Sequence, residues 1–415
     1  MSLPIVLLEN EEKWDCHQCG FCCRGSVIPL SNLDAERLKK QKWNEQPEYQ
    51  RLRIMTSDRS AESGYRLAHR ANGSCIFLNE DGLCRIHSKF GIEAKPTICQ
   101  TFPLQLISHE HQAVLTIRRA CPSAAADLGR EVSNQLAFIK GLVRDNRLEA
   151  QAKSPPLLKI GEARDWVTMR RVLESVGDVL QDVRYPPVRR LVHALQFASL
   201  LQAAKTKRLS DAQIVELART LAELVPEESK PFFDDLQAPK AYSKILFRIA
   251  AIYFARLHPE ARHKSSWAAR FQLMNTAWTV MRGTGPTPRI DKIFPVANME
   301  ALEKPLGVMR PEIYVPLARF METNSASFMY AISDRQSWSV VDSIRGLALR
   351  FPVALWMLRW IAQGRQPTVQ DVLQVVVALD RSQGYAPLCG TNHRWRLSML
   401  GANGELERLA VWYAR

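Results

Sequence analysis

The sequence predicts a mainly α protein in which a small, irregular, cysteine-rich α+β module at the N-terminus precedes a large all-helical domain. Eight of the nine cysteines lie before residue 122 of a 415-residue chain. After that point apolar residues recur at the spacing of one helix face, as at Leu136, Ile139 and Leu142. We therefore expect a first domain over residues 1–128 and a helical domain over residues 129–415, which would subdivide near residues 283–298.

Periodic patterns predict the elements of both domains. Apolar runs at residues 104–107 and 113–117 flank a polar turn with His109 and His111, so we expect a hairpin whose two histidines face solvent. Helical spacing predicts helices over residues 162–182, 187–206, 210–224, 240–282, 298–305, 310–330, 335–364 and 368–382, and a helix with a turn over residues 390–415.

Three features of the C-terminal helices allow more specific expectations. Thr368, with Asp371 three residues later, has the spacing of a capping box at a helix start. Trp356 and Trp360 lie at helical spacing among leucines, which favours packing in the core over stacking on a cofactor. The most apolar stretch, residues 347–362, is interrupted by two arginines and a proline. A membrane span needs about 20 mostly apolar residues, so none is predicted.

The charge balance favours an acidic partner without identifying it. The chain has 56 lysines and arginines against 42 acidic residues, a formal net charge of +14. Basic residues are not interleaved with an aromatic platform, so a nucleic-acid partner is not expected, and a protein partner is. No basic segment precedes the short apolar start of the chain, which argues against an export signal and for a cytoplasmic location.

The cysteine spacing favours metal binding over disulfide bonds. The first three cysteines repeat the Cys-x-x-Cys step that turns thiolates back onto one ion or cluster, and Gly20 gives the backbone freedom that such a knuckle requires. Adjacent Cys22 and Cys23 are a poor disulfide pair because their side chains diverge, and cytosol keeps structural disulfides rare. The candidate metal ligands are Cys16, Cys19, Cys22, Cys23, Cys75, Cys84, Cys99 and Cys121.

The same spacing leaves the metal open. Structural zinc usually takes paired Cys-x-x-Cys knuckles, whereas this chain has one compact run of four cysteines followed by single ones. That layout is typical of iron–sulfur proteins, where a distant cysteine completes the site. We favour at least one iron–sulfur centre, foremost a 4Fe–4S cluster, over zinc alone. Eight thiolates also suit two four-thiolate sites or a cluster beside a zinc ion. His17 and His87 are expected outside the ligand set.

Four motifs resemble the YkgJ-type cysteine-cluster proteins, a family of zinc- or iron-chelating character. Residues 14–23, WDCHQCGFCC, are similar to the CxxCGxCC signature of that family. Residues 73–78 (GSCIFL), 82–87 (GLCRIH) and 95–103 (KPTICQTFP) match its later motifs in the same order. The resemblance covers about residues 14–125, and it implies that these cysteines chelate zinc or iron.

A further segment is similar to one group within that family. Residues 120–126, ACPSAAA, resemble the C-P-E-A-A segment of flagellin lysine-N-methylases, which also share the plan of an N-terminal cysteine cluster and a long helical remainder. This resemblance implies an iron–sulfur-dependent protein-lysine methyltransferase, with S-adenosylmethionine as methyl donor and a flagellin-like protein as substrate. Gln100 and Ser123 stand where the family usually carries arginine and glutamate.

The residues themselves assign no methyl-donor site. No Gly-x-Gly-x-x-Gly follows a strand-like run, and no Cys-x-x-x-Cys-x-x-Cys run occurs. Catalytic and S-adenosylmethionine-binding residues are therefore left unassigned. The alternative to a methylase is a non-catalytic zinc- or iron-binding interaction protein of the same family, in which the metal holds the N-terminal module and the basic helical domain binds a partner protein.

Overall fold

The computed structural model describes residues 3–8, 12–145, 154–256, 267–332, 338–382, 388 and 390–415. Helices predominate in these ranges, and the short strands lie before residue 118. The predicted fold class is therefore confirmed: the protein is mainly α, with a small α+β region at its N-terminus.

The N-terminal region combines two small sheets with short helices. Its strands are β1 (Ile5–Leu7), β2 (Met55–Ser57), β3 (Tyr65–Leu67), β4 (Leu104–Ser108) and β5 (Ala113–Ile117). Its helices are α1 (Asn32–Lys40), α2 (Arg85–Phe90), α3 (Thr97–Thr101), α4 (Pro122–Ala125) and α5 (Leu136–Asp145). In one sheet β5 lies between β1, which is parallel to it, and β4, which is antiparallel. Strands β2 and β3 form a separate antiparallel pair.

The predicted hairpin is present as β4 and β5, but one of its histidines is buried. His111 is exposed, as expected. The expectation for His109 is wrong: the residue is 4% exposed, and its Nε2 donates to the carbonyl oxygen of Ser327 at 3.2 Å. Its ring also stacks on Phe328, with 5.3 Å between ring centroids. The turn packs against a second layer of the molecule, which a strand pattern by itself does not reveal.

The rest of the described chain is helical. Its helices are α6 (Trp166–Gln181), α7 (Pro187–Ala203), α8 (Asp211–Glu228), α9 (Pro231–Asp234), α10 (Ala241–Phe254), α11 (Trp267–Arg282), α12 (Pro311–Ala326), α13 (Val340–Ala362), α14 (Val369–Arg381), α15 (Thr391–Leu400) and α16 (Glu405–Ala414). A 3-10 turn, Met299–Glu303, follows the irregular stretch after α11. No helix within the described ranges has the length and apolarity to cross a bilayer.

The sequence patterns locate most helix ends well. Thr368 caps α14 as predicted: its hydroxyl accepts from the N–H of Asp371, whose carboxylate accepts from the N–H of Thr368 at 2.7 Å. The tail forms two helices, α15 and α16, joined by a turn. The single helical segment predicted over residues 240–282 consists instead of α10 and α11, and residues 257–266 between them lie outside the described part.

Helix α13 is the centre of the largest hydrophobic cluster. Almost every residue of this helix is buried, and it packs against α7, α14 and α16. Trp356 and Trp360 are fully buried, which confirms their expected place in the core. Arg359 on the same helix donates to the carbonyl oxygens of Lys304 at 2.7 Å and Tyr413 at 3.0 Å. This guanidinium therefore ties the central helix to the C-terminal one.

Two smaller hydrophobic clusters lie in the N-terminal region. The first surrounds Trp43 and Phe77 and has four cysteines in it or at its edge: Cys23, Cys75, Cys84 and Cys99. The second lies around Leu115, Ile117 and Ile139 of β5 and α5, with Cys121 at its edge. Helix α5 thus packs on the N-terminal region. The division of the chain into domains at residue 128 stays a prediction.

A buried arginine of the N-terminal region forms an ion pair there and a hydrogen bond to the helical part. Arg119 is 2% exposed, and its Nη2 donates to Glu12 Oε1 at 2.8 Å and to Thr323 Oγ1 of α12 at 3.2 Å. Removing one partner of a buried pair leaves an uncompensated charge and costs about 3–5 kcal/mol. The ion pair therefore fixes Arg119 in position, and its hydrogen bond to Thr323 connects the N-terminal region to α12.

A buried carboxyl on α16 generates a pH-dependent stability prediction. Glu407 is 1% exposed, Gln196 Nε2 donates to its Oε1 at 2.9 Å, and no hydrogen-bond partner of its Oε2 is found among the described residues. Burial raises the pKa of Glu407 from 4.5 to about 7. Because the folded pKa lies above the unfolded one, the contribution of Glu407 to stability is fully present below about pH 4.5 and is lost as the pH rises through about 7.

At about pH 8 we expect Glu407→Gln to raise the free energy of unfolding by about 1–3 kcal/mol and to unfold at a higher temperature than the wild type. At about pH 5 the two proteins should differ little. Thermal unfolding followed by circular dichroism at both pH values measures this. Glu174→Gln, which removes the exposed carboxylate paired with Arg171 on α6, is the matched control. Equal unfolding temperatures of Glu407→Gln and wild type at the higher pH would contradict the assignment.

Candidate metal centre

The segment with the first four cysteines forms an exposed knuckle. Phe21–Cys23 is a single 3-10 turn. Before it, Gln18 and Gly20 adopt left-handed backbone conformations, with φ of 53° and 66°. Such conformations fold the chain back on itself within a few residues. Three thiols of the knuckle are exposed: those of Cys16, Cys19 and Cys22.

Gly20 brings this knuckle into contact with the second cysteine motif. A Cβ at this position would lie 3.0 Å from the carbonyl oxygen of Gly82 and 3.3 Å from Cδ1 of Leu78. The N–H of Cys75 donates to the carbonyl oxygen of Cys23 at 2.7 Å and continues the contact. The glycine is therefore required both by its positive φ and by the close approach of the two segments.

Cys75 and Cys84 lie on either side of a tight turn. Cys75 is 8% exposed, whereas Cys84 is half-buried and precedes the first residue of α2. Leu78 and Cys84 form an antiparallel bridge, which returns the chain towards the first cysteine of the pair. The N–H of Phe77 donates to the Cys75 sulfur and lowers the pKa of that thiol against the larger effect of burial.

Cys99 is held in place by helix α1. It lies in α3, where the carboxylate of Asp34 accepts from the Thr97 N–H at 2.9 Å and from the Thr97 hydroxyl at 3.0 Å. Gln100, which stands where the resembling family usually has arginine, is buried and donates to the carbonyl oxygen of Lys95 at 2.6 Å. An uncharged amide thus fixes the backbone of this motif.

Cys121 approaches the knuckle from the other side. It precedes α4, and its sulfur accepts from the N–H groups of Ser123 and Ala124. The Ser123 hydroxyl lies 2.9 Å from Nδ1 of His17, a residue of the knuckle. The serine that replaces the family's usual glutamate therefore joins the fourth cysteine segment to the first.

The thiol of Cys22 interacts electrostatically with cysteines of the other three segments. Its Sγ lies 3.9 Å from that of Cys23, and this hydrogen bond together with burial holds the pKa of Cys22 well above its ordinary value. Burial raises the pKa of Cys75 to about 11 and also raises the pKa values of Cys99 and Cys121. A negative charge on Cys22 would raise the pKa values of Cys75, Cys99 and Cys121 further. Their thiolates would repel one another unless a cation lay between them.

Basic side chains surround this group of thiols. Lys95 and Arg381 lower the pKa of Cys22 against the effects of its hydrogen bond and burial. Arg70 likewise lowers the pKa of Cys75, against the larger effect of burial. Several thiolates around one metal centre carry a net negative charge, and these positive side chains would stabilise it.

The structure places cysteines from four segments near one another and leaves three of them exposed. Cys75 is buried, Cys23, Cys84, Cys99 and Cys121 are half-buried, and the knuckle residues Cys16, Cys19 and Cys22 are exposed. These eight cysteines are free thiols. Among the described residues no group of three or more Cys, His, Asp or Glu side chains is arranged to hold a metal ion. The donors suit a soft metal, and the assignment of the eight ligands stays a prediction.

Two residues of this site were not found by sequence reasoning. Asp380 and Arg381, at the end of α14, contact the backbone beside Cys121 and Cys23. They lie about 260 and 357 residues along the chain from those contacts. Spacing within the cysteine motifs carries no signal for partners so distant in sequence.

A family model matches the part of the chain that contains these cysteines. Residues 15–122 match the CxxCxxCC family, described as a "putative zinc- or iron-chelating domain". These residues are therefore a cysteine-cluster domain, and the match supports binding of zinc or iron by it.

One curated relative is an uncharacterized protein of Methanocaldococcus jannaschii. It is 30% identical to this chain over 137 residues. The match covers 32% of this chain and 45% of the relative, so the chain spans less than half of that protein's length. No solved structure is significantly similar to the chain.

The close approach at Gly20 can be tested by adding one methyl group. We expect Gly20→Ala to destabilise the N-terminal region by about 1–3 kcal/mol and to lower its metal content, since the knuckle must move away from Gly82. Gly64→Ala is the matched control, because Gly64 also has a positive φ (73°) but no atom lies within 4 Å of its added Cβ. Denaturant unfolding and bound metal per chain are the measurements. Equal effects of the two substitutions would refute the role of the close approach.

Proposed function

We propose that the cysteine-cluster domain binds an iron–sulfur cluster through thiolates from four chain segments. The observation that supports this most is geometric: cysteines from three segments, Cys23, Cys75 with Cys84, and Cys99, lie in or beside one hydrophobic cluster, and the Cys75 N–H donates to the Cys23 carbonyl oxygen at 2.7 Å. Burying thiolates together is unfavourable without a compensating cation, and iron or zinc supplies one. The family match to a zinc- or iron-chelating domain is consistent with this proposal.

Iron–sulfur is preferred to zinc for two reasons. The cysteines are arranged as one compact run followed by single residues, which is typical of cluster proteins rather than of paired zinc knuckles. In addition, Lys95 and Arg381 surround Cys22 with positive charge, and hydrogen bonds and charges near the sulfurs set the potential of such clusters. When bound, the cluster would supply electron transfer or Lewis acidity at the domain surface.

The chain's own residues have distinct parts in this proposal. Buried Cys75 and half-buried Cys99 would hold the inner side of the centre, and exposed Cys16 and Cys19 its outer side. Phe77, Ser123 and Ala124 donate N–H groups to the sulfurs and so stabilise thiolates. A centre with one exposed side is accessible to a protein substrate or partner.

Metal and sulfide analysis of cysteine variants tests the cluster. Protein purified without oxygen should contain iron and acid-labile sulfide and should absorb broadly in the visible range. Cys22→Ser and Cys99→Ser should lose most of the iron and become less stable, because metal binding and folding are coupled. Cys389→Ser should keep both, since the ninth cysteine lies outside the family match; it also lies outside the described residues.

The outcomes separate three cases. Stoichiometric zinc without sulfide would contradict the cluster and leave the chelating domain intact. Cys22→Ser and Cys99→Ser proteins with full metal content would contradict the ligand assignment. Protein that holds neither iron nor zinc after anaerobic purification would contradict the whole proposal.

For the helical part we propose protein-lysine methylation as the activity, with S-adenosylmethionine as donor and a flagellin-like protein as substrate. Support comes from the similarity of residues 120–126 to the methylase segment and from the long helical remainder. The segment has a packing role in this chain: Ser123, Ala124 and Ala125 are buried, and α4 contacts α14. The competing proposal is a non-catalytic protein that binds an acidic partner through its net charge of +14.

Mass spectrometry distinguishes these two activities. Cluster-replete protein incubated with S-adenosylmethionine and flagellin should add methyl groups of 14 mass units (about the mass of one CH₂) to flagellin lysines. The Cys22→Ser protein should add none. No methyl gain with the cluster-replete protein would contradict the methylase and leave the interaction protein as the remaining proposal.

A further inference from the structure

The end of helix α14 contacts both chain segments that flank the proposed centre. Asp380 is the second-last residue of this helix, and Arg381 is the last. Asp380 binds the turn before Cys121, and Arg381 binds the backbone after Cys23. We propose that Asp380 and Arg381 are positioning residues, which hold the two cysteine segments together and link metal retention to the packing of the helical part.

Asp380 fixes the turn before Cys121. Its side chain is fully buried, and both carboxylate oxygens lie 3.1 Å from Nε of Arg118. Its Oδ2 also accepts from the N–H of Ala120 at 2.7 Å. The guanidinium of Arg118 in turn donates to the backbone carbonyl of Asp380 at 2.5 Å. A buried charge with this many partners allows little movement of the Cys121 segment.

Arg381 fixes the knuckle. Its Nη2 donates to the carbonyl oxygen of Arg24 at 2.8 Å and to Ser26 Oγ at 2.5 Å. Its guanidinium carbon lies 4.8 Å from the centroid of the Phe21 ring. Phe21 and Arg24 flank Cys22 and Cys23 directly in sequence. Arg381 thus contacts the knuckle on both sides of the central thiol and places a positive charge near it.

The spacing between these two contacts is set by the helical part. Val372, Val375 and Val376 anchor α14 in the largest hydrophobic cluster, where it packs on α12 and α13. The capping box and the Arg365–Asp371 ion pair fix its first turn. Since adjacent residues of one packed helix contact both segments, the segments cannot separate without disturbing α14. Metal that binds only when the two segments are together would therefore stabilise the packing of α14. The coupling is reciprocal, so the packing of α14 would also favour metal binding.

This inference rests on the proposed metal centre, and Arg381→Gln tests it in the full-length, metal-loaded protein. The substitution removes the charge and the fork geometry and leaves Asp380 and its partners in place. We expect metal to pass to a chromophoric chelator about tenfold faster than from the wild type, in the range found for residues that orient metal ligands. Arg381→Lys, which keeps the charge, should recover part of the slow release.

Arg171→Gln is the matched control, because it removes an exposed arginine that pairs with Glu174 on α6, outside α14 and the cysteine segments. It should release metal at the wild-type rate. Hydrogen–deuterium exchange supplies the second measurement: removing the metal from the wild type should speed exchange of the α14 amides, and α8, on the far side of α6 and α7, should not change.

The outcomes separate this inference from the proposal beneath it. Wild-type release rates for Arg381→Gln, together with α14 exchange that does not change when metal is removed from the wild type, would overturn the inference alone. Faster release that Arg381→Lys does not slow at all would show loss of structure rather than positioning and would also overturn it. Full-length protein that holds neither iron nor zinc would overturn the metal centre and this inference together.

Discussion

The arrangement of the N-terminal region depends on one electrostatic constraint: thiols gathered around Cys22 cannot ionise together without a positive charge among them. Burial and mutual repulsion raise the pKa values of Cys75, Cys99 and Cys121, and Lys95 and Arg381 offset only part of this effect at Cys22. A bound metal resolves the conflict because it replaces the protons of several thiols at once. The positive charge of a metal would stabilise the close approach of the knuckle at Gly20. It would also stabilise the thiolates to which the backbone N–H groups donate.

Much of the fold was predictable because it depends on local patterns. Helical periodicity located the C-terminal helices to within a few residues, since burial of one face requires apolar residues at that spacing. The Thr368–Asp371 capping box was predictable for the same reason, as its two partners are three residues apart. The cysteine segments were recognisable as motifs, and the family match to residues 15–122 agrees with them. Spacing does not determine which thiols share a metal, because that depends on how the segments fold together in space.

What the sequence did not reveal are contacts between residues far apart in the chain. His109 was expected in solvent but lies against Ser327, 218 residues later. Asp380 and Arg381 look like ordinary polar residues at a helix end, yet they bind the backbone beside Cys121 and Cys23. Such contacts depend on how α14 packs in the helical part, and no local pattern encodes that. They suggest that the two parts of the protein act as one unit, with the helical part as the support of the centre rather than a separate attachment.

The central claim is that sulfur atoms from several segments of the cysteine-cluster domain bind one metal centre. X-ray absorption spectroscopy at the iron and zinc edges of the anaerobically purified full-length protein tests it most directly. The account predicts a first shell made mainly of sulfur at about 2.3 Å, with an iron–iron distance beyond it if the centre is a cluster. A first shell of oxygen or nitrogen without sulfur would contradict it.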